Sequence, residues 1–317
     1  MATAEQVKSL VKAYVDHDEE KFKTVALQIA AHEARAGHDT VARDLKKEID
    51  KISKMKPGTY RIEPANPLFL FSTPSVKKND LIVSTDLETR IERVLTEFRN
   101  RRKLQSYGYA NRRKLLLEGA SGTGKTLTAS VIASELGLPL YTVQMDKLVS
   151  KFMGETSAKL RQVFESMYTD EGVYFFDEFD AIGSDRSFDN EVGEMRRILN
   201  SFLQFIEQDS SDSLIISATN NQKLLDKALF RRFDYVLHYD LPAKDEIYRL
   251  FEYKIGSFAP YLEITGRLID EAVGLSHAEI VRVSNDAIKN SILHESQINE
   301  QEIIDLLKDR HLLYKGA

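Results

Sequence analysis

The period of the apolar positions changes several times along the chain, and each change marks an element. Val7, Leu10, Val11 and Tyr14 recur at helical spacing, as do Phe22, Val25, Ala26, Ile29 and Ala30, and then Val41, Leu45 and Ile49. Breaks fall at His17-Asp18 and at Gly37-His38-Asp39. This predicts a three-helix unit over residues 1–55, whose apolar stripes form its own small core. From Lys56 to Asn79, Pro57, Pro64, Pro67 and Pro74 block helix around Tyr60-Arg61-Ile62 and Leu68-Phe69-Leu70-Phe71. Residues 56–80 therefore read as a linker with short extended pieces lying against the next domain. A helix is predicted from Asp86 to about Leu104.

From Leu115 onward, short apolar runs alternate with helical patterns. Strands are predicted at Leu115–Leu117, Leu140–Met145, Val173–Asp177, Leu214–Ala218 and Val236–Leu241. Helices are predicted after Lys125, over Thr156–Tyr168 and over Glu191–Glu207. Strands that are apolar at nearly every position are buried on both faces, so the fold class is α/β: a parallel sheet flanked by helices over residues 81–242. Beyond Pro242 the pattern is wholly helical, which predicts a small helical lid over 243–317. Ligands of such sheets sit at the carboxyl ends of the strands.

The stretch Leu115 to Leu136, LLLEGASGTGKTLTASVIASEL, carries chemistry at that edge. An apolar strand runs into Gly119-Ala120-Ser121-Gly122-Thr123-Gly124-Lys125-Thr126, and Leu127 continues into a helix. The spacing G-x-x-x-x-G-K-T is the P-loop pattern. Its glycines let backbone N–H groups point at an anion, and the helix N-terminus adds its dipole. Lys125 would bring a charge to the β/γ-phosphates, and the Thr126 hydroxyl is a hard oxygen suited to Mg²⁺.

A second acidic signal follows about 50 residues later. Val173-Tyr174-Phe175-Phe176 ends in Asp177 and Glu178. Carboxylates at the end of a buried strand fall beside the P-loop, where Asp177 suits the Mg²⁺ shell and Glu178 can orient or deprotonate an attacking water. ATP and Mg²⁺ are the expected ligands.

FFDEFDAIGSDRS resembles the second nucleotide motif of the AAA ATPases, the protein-remodelling branch of the AAA+ group, and the likeness extends over about residues 81–300. It implies further roles. LIISATN, Leu214–Asn220, is similar to the strand whose terminal Asn senses the γ-phosphate, here Asn220. LDKALFRRFD, Leu225–Asp234, resembles the arginine-finger segment, with Arg231 and Arg232 as the matching residues; the family usually has two more residues between its arginines. GLSHAEIVRVSNDA, Gly274–Ala287, resembles the lid segment that closes over adenine, with His277 where Gly is usual and Ala278 matching. Leu81-Ile82-Val83 occupies the adenine-contacting approach without the family's Asp-x-Gly-Gly, so Ile82 is the contact it implies. Ala120-Ser121 stands where two prolines are frequent.

The resemblance also implies a ring, usually of six, in which the arginines act on the neighbouring subunit's nucleotide. Ser150-Lys151-Phe152-Met153-Gly154-Glu155 stands where the family places its first pore loop, which makes Lys151, Phe152, Met153 and Gly154 the candidates for gripping an extended polypeptide. A looser match to a second pore loop spans Ser184–Asn190. The reading is a ring-forming ATPase that threads, unfolds or dismantles protein substrates, with residues 1–55 selecting a substrate or adaptor.

Composition narrows this without changing it. In 317 residues there are no cysteines, so disulfides and thiolate metal sites are excluded. The net charge of −5 gives no global bias towards nucleic acid or membrane. The longest apolar runs are strand-length and the start, MATAEQVKSL, lacks a signal peptide's apolar region, so no membrane partner and a cytoplasmic location are expected. Both His-Glu pairs, His32-Glu33 and His294-Glu295, lack the second His of a zinc peptidase motif; any proteolysis would need a separate protease. One rival class is a nucleic-acid motor or loader, supported by the basic cluster Arg99, Arg101, Arg102, Lys103, Arg112, Arg113 and Lys114. Another is a non-cycling nucleotide switch, which has little use for Glu178.

Overall fold

The computed structural model describes residues 66–148, 153–179, 191–220 and 230–315, with backbone alone at 153–154, 191–197 and 314–315, and positions 8–9, 24–30, 33, 38, 41 and 43 nearer the N-terminus. The chain divides into two compact units, Met1–Tyr60 and Arg61–Ala317. In the first, residues 24–30 are helical and bury Val25, Ala26, Ile29 and Ala30, the face that the apolar spacing selects. His38 Nδ1 lies 2.7 Å from Glu33 Oε2 in the same unit.

The second unit is built on a six-stranded sheet of order β1-β3-β4-β5-β2-β6. Its strands are β1 (Phe69–Ser72), β2 (Lys114–Gly119), β3 (Leu140–Val143), β4 (Val173–Phe176), β5 (Leu214–Thr219) and β6 (Tyr235–Tyr239). All neighbours pair parallel except β1, which runs antiparallel to β3 with Phe69 opposite Val143. The proline-flanked piece thus forms one edge strand of the sheet, at Phe69–Ser72.

Its helices are α1 (Thr85–Arg99), α2 (Arg101–Ser106), α3 (Lys125–Leu136), α4 (Met145–Leu148), α5 (Met153–Thr169), α6 (Glu191–Gln208), α7 (Lys244–Ile255), α8 (Gly266–Ala272), α9 (His277–His294) and α10 (Glu300–Lys315). The single helix expected over Asp86–Leu104 breaks at Asn100, whose Nδ2 donates to Thr96 O and diverts the chain. The strand expected to reach Met145 ends at Val143, and Met145 starts α4.

Successive side chains of a strand face opposite sides, so each run of buried leucines serves two cores. Leu115 and Leu117 pack with Leu87, Ile91, Leu95 and Ile132 of α1 and α3 on one face. Leu116, Tyr174 and Phe176 pack with Leu160, Phe164, Ile198 and Phe202 of α5 and α6 on the other. Every residue of β4 is buried. At about 1.5–3 kcal/mol per fully buried large apolar side chain, this double-sided core fixes the strand ends rigidly. The helices α7 to α10 share a third core that includes Leu250, Phe251, Leu268, Ile280 and Leu307, and it also takes in Ile82 from the segment before α1.

Candidate functional site

The carboxyl end of β2 turns sharply into α3. A Cβ on Gly119, whose φ is 153°, would sit 2.1 Å from Tyr239 O of the neighbouring strand, so the loop leaves the sheet through a gap that admits glycine only. At Gly122, φ is 77° and a Cβ would sit 2.6 Å from Ser276 Oγ. The loop is pressed against the start of α9, and Ala278 N donates to Gly122 O across 2.9 Å. Thr123 Oγ1 closes the turn onto Ala120 O at 2.8 Å.

Lys125 is buried at the first turn of α3, and its ammonium donates to Gly119 O, Ala120 O and Asn220 Oδ1 at 2.7, 2.8 and 2.7 Å. Asn220 follows β5, the strand hydrogen-bonded to β2 on one side and β4 on the other. Thr126 Oγ1 donates to Asp177 Oδ2 at 2.9 Å, and Asp177 Oδ1 accepts Glu178 N at 3.0 Å. Glu178 has φ 49°, a left-handed conformation unusual for a residue with a side chain, at a cost of order 1 kcal/mol. It follows β4, and this turn sets its direction apart from that of Asp177.

These groups line one cavity of about 400 Å³, a size suited to a nucleotide. Its polar end has Lys125, Thr126, Asp177, Glu178 and Asn220; its other end has Leu81, Ile82, Leu250, Val281 and the residues His277 and Ala278 of the lid. Ser121, Gly122, Gly124 and Leu127 line it as well. Thr126 and Asp177 offer Mg²⁺ only hard oxygens, with phosphate and water left to complete an octahedron, which is how that ion is usually held.

Leu250 and three polar lining residues, Asp80, Tyr253 and Lys254, escaped the sequence reading. The Tyr253 hydroxyl donates to Asp80 and, aided by the Lys77 amide, holds the Asp80 carboxyl below its ordinary range. Lys254 lies beside them, its ammonium 5.0 Å from the Tyr253 ring centre. No motif carries these residues; the available signal was an aromatic on the polar side of an amphipathic helix.

The two arginines differ. Arg232 is paired with Glu207, whereas Arg231 is exposed and makes no hydrogen bond or ion pair among the described residues. Neither lines the cavity. Lys151 and Phe152 lie outside the described residues, as does the Ser184–Asn190 segment; Met153 and Gly154 open α5, with their side chains outside them too.

The sequence matches the family described as "ATPase family associated with various cellular activities (AAA)" over residues 115–241. An "Uncharacterized AAA family ATPase" of Sinorhizobium fredii is 34% identical across 98% of this chain and 96% of its own length. The chain belongs to the AAA ATPase family. Other relatives are larger proteins of which this ATPase spans a part. A putative 26S proteasome regulatory subunit homolog of Methanothermobacter marburgensis is 33% identical over 63% of the chain and 55% of the relative. The ATP-dependent zinc metalloprotease FtsH of Ralstonia pickettii is 30% identical over 71% of the chain and 33% of the relative. The crystal structure of the FIGL-1 AAA domain superposes with a TM-score of 0.61 over 75% of this chain and 85% of that one, at 20% identity, a likeness of fold. The AAA ATPase described here is thus an ATP-hydrolysing enzyme, and among its described residues no helix is long and apolar enough to cross a membrane.

The basic cluster before β2 is largely committed to intramolecular pairs. Arg99 meets Glu135 at 3.0 Å and Arg101 meets Glu171 at 2.7 Å. Arg112 is paired with Glu97 and stacks 4.9 Å over Tyr235, and Arg113 is paired with the buried Asp209.

Proposed function

We propose that this ATPase assembles into a homo-oligomeric ring, in the family's manner a hexamer, and uses hydrolysis at its interfaces to thread, unfold or dismantle protein substrates. One observation carries the ring. The cavity gathers Lys125, Thr126, Asp177, Glu178 and Asn220, yet Arg231 stands outside it, exposed and unpaired among the described residues. An arginine that lies outside its own chain's cavity is free to serve a neighbour's, and Arg232, held by Glu207, orients the segment. A head-to-tail contact of that kind makes a ring where its rotation closes.

In this reading the P-loop, Gly119 to Leu127, cradles the phosphates. Thr126 and Asp177 would hold Mg²⁺, which supplies charge neutralisation at the β- and γ-oxygens. Glu178 orients and deprotonates the attacking water, Asn220 positions the γ-phosphate end, and Ile82, His277 and Ala278 border the base. The relatives named for proteasomal regulation and for proteolysis support a polypeptide substrate. The Lys151–Gly154 loop would grip it and residues 1–55 would recruit it or an adaptor; a separate protease is a candidate partner. A cytoplasmic location accords with this use. The pairing of the basic cluster with Glu97, Glu135, Glu171 and Asp209 disfavours the nucleic-acid reading.

The test is steady-state ATP hydrolysis across protein concentrations with an unstructured polypeptide, with single-stranded DNA and with neither, for wild type and Phe152→Ala. Turnover that rises with concentration and with polypeptide, and loses only the polypeptide response in Phe152→Ala, is expected. Stimulation by DNA that ignores Phe152 would overturn the reading.

A further inference from the structure

Between β6 and α3 two polar side chains share a buried space, Thr128 at 0% and Tyr239 at 4% exposure. The Tyr239 hydroxyl lies 2.7 Å from Thr128 Oγ1, which in turn lies 3.0 Å from Gly124 O. Elementary chemistry orders the protons along this chain. A carbonyl only accepts, so the one hydroxyl proton of Thr128 goes to Gly124 O, and Tyr239 must donate to Thr128. Burial pushes the Tyr239 phenol well above its ordinary range, which keeps it a donor. Two apolar side chains would fill the same space and leave no polar group to satisfy. Packing alone therefore gives no reason for the pair.

The far end of the chain is the loop that runs from Gly119 to Lys125. Gly124 has φ 102°, and its carbonyl accepts from both the amide and the hydroxyl of Thr128, at 2.9 and 3.0 Å. In a trans peptide the N–H points opposite to the C=O. A Gly124 carbonyl held along α3 thus turns Lys125 N–H out of the helix N-terminus, where Gly124 and Lys125 line the cavity. The near end of the chain meets the loop as well. Tyr239 stands opposite Gly119 in the sheet, and its carbonyl is the atom that leaves no room for a Cβ there. One residue meets the first glycine of the loop with its backbone and the last with its hydroxyl, through Thr128.

We propose that Tyr239 and Thr128 are positioning residues for the phosphates of ATP, the relay from phenol to hydroxyl to Gly124 O fixing the direction of the Lys125 amide before the nucleotide arrives. The inference rests on the nucleotide reading of the cavity and deepens it. Neither residue lines that cavity. Their effect reaches a ligand only through the backbone of the loop, so it is confined to the phosphate end.

The experiment is equilibrium binding of ATP and of adenosine, in Mg²⁺, to the full chain carrying Glu178→Gln so that turnover does not intrude. Tyr239→Phe keeps the ring and removes the donor, Thr128→Val removes the hydroxyl, and Thr128→Ser keeps it. Tyr239→Phe and Thr128→Val are each expected to weaken ATP about three- to tenfold, the range of one hydrogen bond lost. Adenosine, which has no phosphate for the loop, should change less than about twofold, and Thr128→Ser should recover most of the ATP affinity that Thr128→Val loses. The double variant Tyr239→Phe/Thr128→Val should bind ATP no more weakly than Thr128→Val alone, because both changes break one relay. If Thr128→Val does not fold, Tyr239→Phe compared with Thr128→Ser decides the same question. Additive losses in the double variant, equal weakening of ATP and adenosine, or ATP affinity unchanged in Tyr239→Phe overturns the proposal and leaves the pair a packing contact. Failure of the chain with both residues intact to bind ATP overturns the nucleotide reading itself, and the inference with it.

Discussion

Lys125 Nζ lies 2.7 Å from Asn220 Oδ1, so the cation at the start of α3 is tied to the residue that follows β5. Two further protons of the same ammonium go to Gly119 O and Ala120 O. An ammonium has three donors. A phosphate that engages Lys125 must displace one of these acceptors, and Asn220 Oδ1 is the one side-chain acceptor of the three.

Removing the ammonium should therefore cost binding, not turnover alone. Lys125→Ala is expected to weaken ATP roughly 10- to 100-fold, the range of a charge-assisted contact. Asn220→Ala should hold ATP within about threefold of wild type and lose more than about tenfold in turnover, as loss of a group positioned for the transition state does. Titration calorimetry beside steady-state hydrolysis separates the two. Unchanged ATP affinity in Lys125→Ala contradicts the role given to the loop.

Glu178→Gln keeps the shape of the side chain and the turn at φ 49° but removes the base. ATP should be retained and the assembled ring stabilised, with hydrolysis down by about 10² or more, the usual contribution of a general base. Rapid turnover by this variant would sink the assignment of Glu178.

Arg231 and Arg232 should separate. If its charge acts on a neighbour's nucleotide as proposed, Arg231→Ala is expected to lose about 10³-fold in turnover while binding ATP normally. Mixing it with Lys125→Ala should restore some activity, since a Lys125→Ala subunit can lend its arginine to an intact neighbouring site. Arg232→Ala breaks the Glu207 pair and should have the smaller effect. No recovery on mixing, at any ratio, argues against action in trans.

The Arg113 guanidinium pairs with Asp209, whose side chain is fully buried. Arg113→Ala leaves that carboxylate uncompensated and should destabilise the α/β part by about 3–5 kcal/mol, with nucleotide contacts untouched; replacing both residues by apolar ones should recover most of it. Denaturant titration measures this. A loss under about 1 kcal/mol would return Arg113 to the pool of free surface charges.

Gly122 has no room for a methyl group, because Ser276 Oγ is 2.6 Å from where the Cβ would be. Gly122→Ala should force the start of α9 away from the loop and weaken ATP binding with little change in the melting of the sheet. A crystal structure of the variant with the Ala278 N to Gly122 O bond intact would refute this.

Much of this architecture is local, and local chemistry is legible in a sequence. The apolar runs at Leu115–Leu117 and Val173–Phe176 could satisfy their backbone and side chains only as strands buried on both faces, and Gly119, Gly122 and Gly124 admit the turn that follows. The same runs place Lys125, Thr126, Asp177 and Glu178 at one edge, because parallel strands present their ends together. Where local signals competed, the reading slipped. Asn100 breaks a helix whose apolar spacing continues, and Met145 starts a helical turn within what looked like a strand.

The remainder depends on contacts between residues far apart in the chain, which no local pattern records. Arg113 pairs with Asp209 and Arg112 with Glu97, contacts that no local pattern of the basic cluster announces. The return of α7 and α9 over the loop puts Tyr253, Asp80 and His277 around one cavity and sets Glu246 behind His277. The sequence by itself determined the fold class and which polar residues gather at one end of the cavity, through periodicity and the residue types that a tight turn between strand and helix requires. Only the tertiary structure decided the apolar end of the cavity and the partners of Arg112 and Arg113, since these follow from which distant side chains share a low-dielectric space.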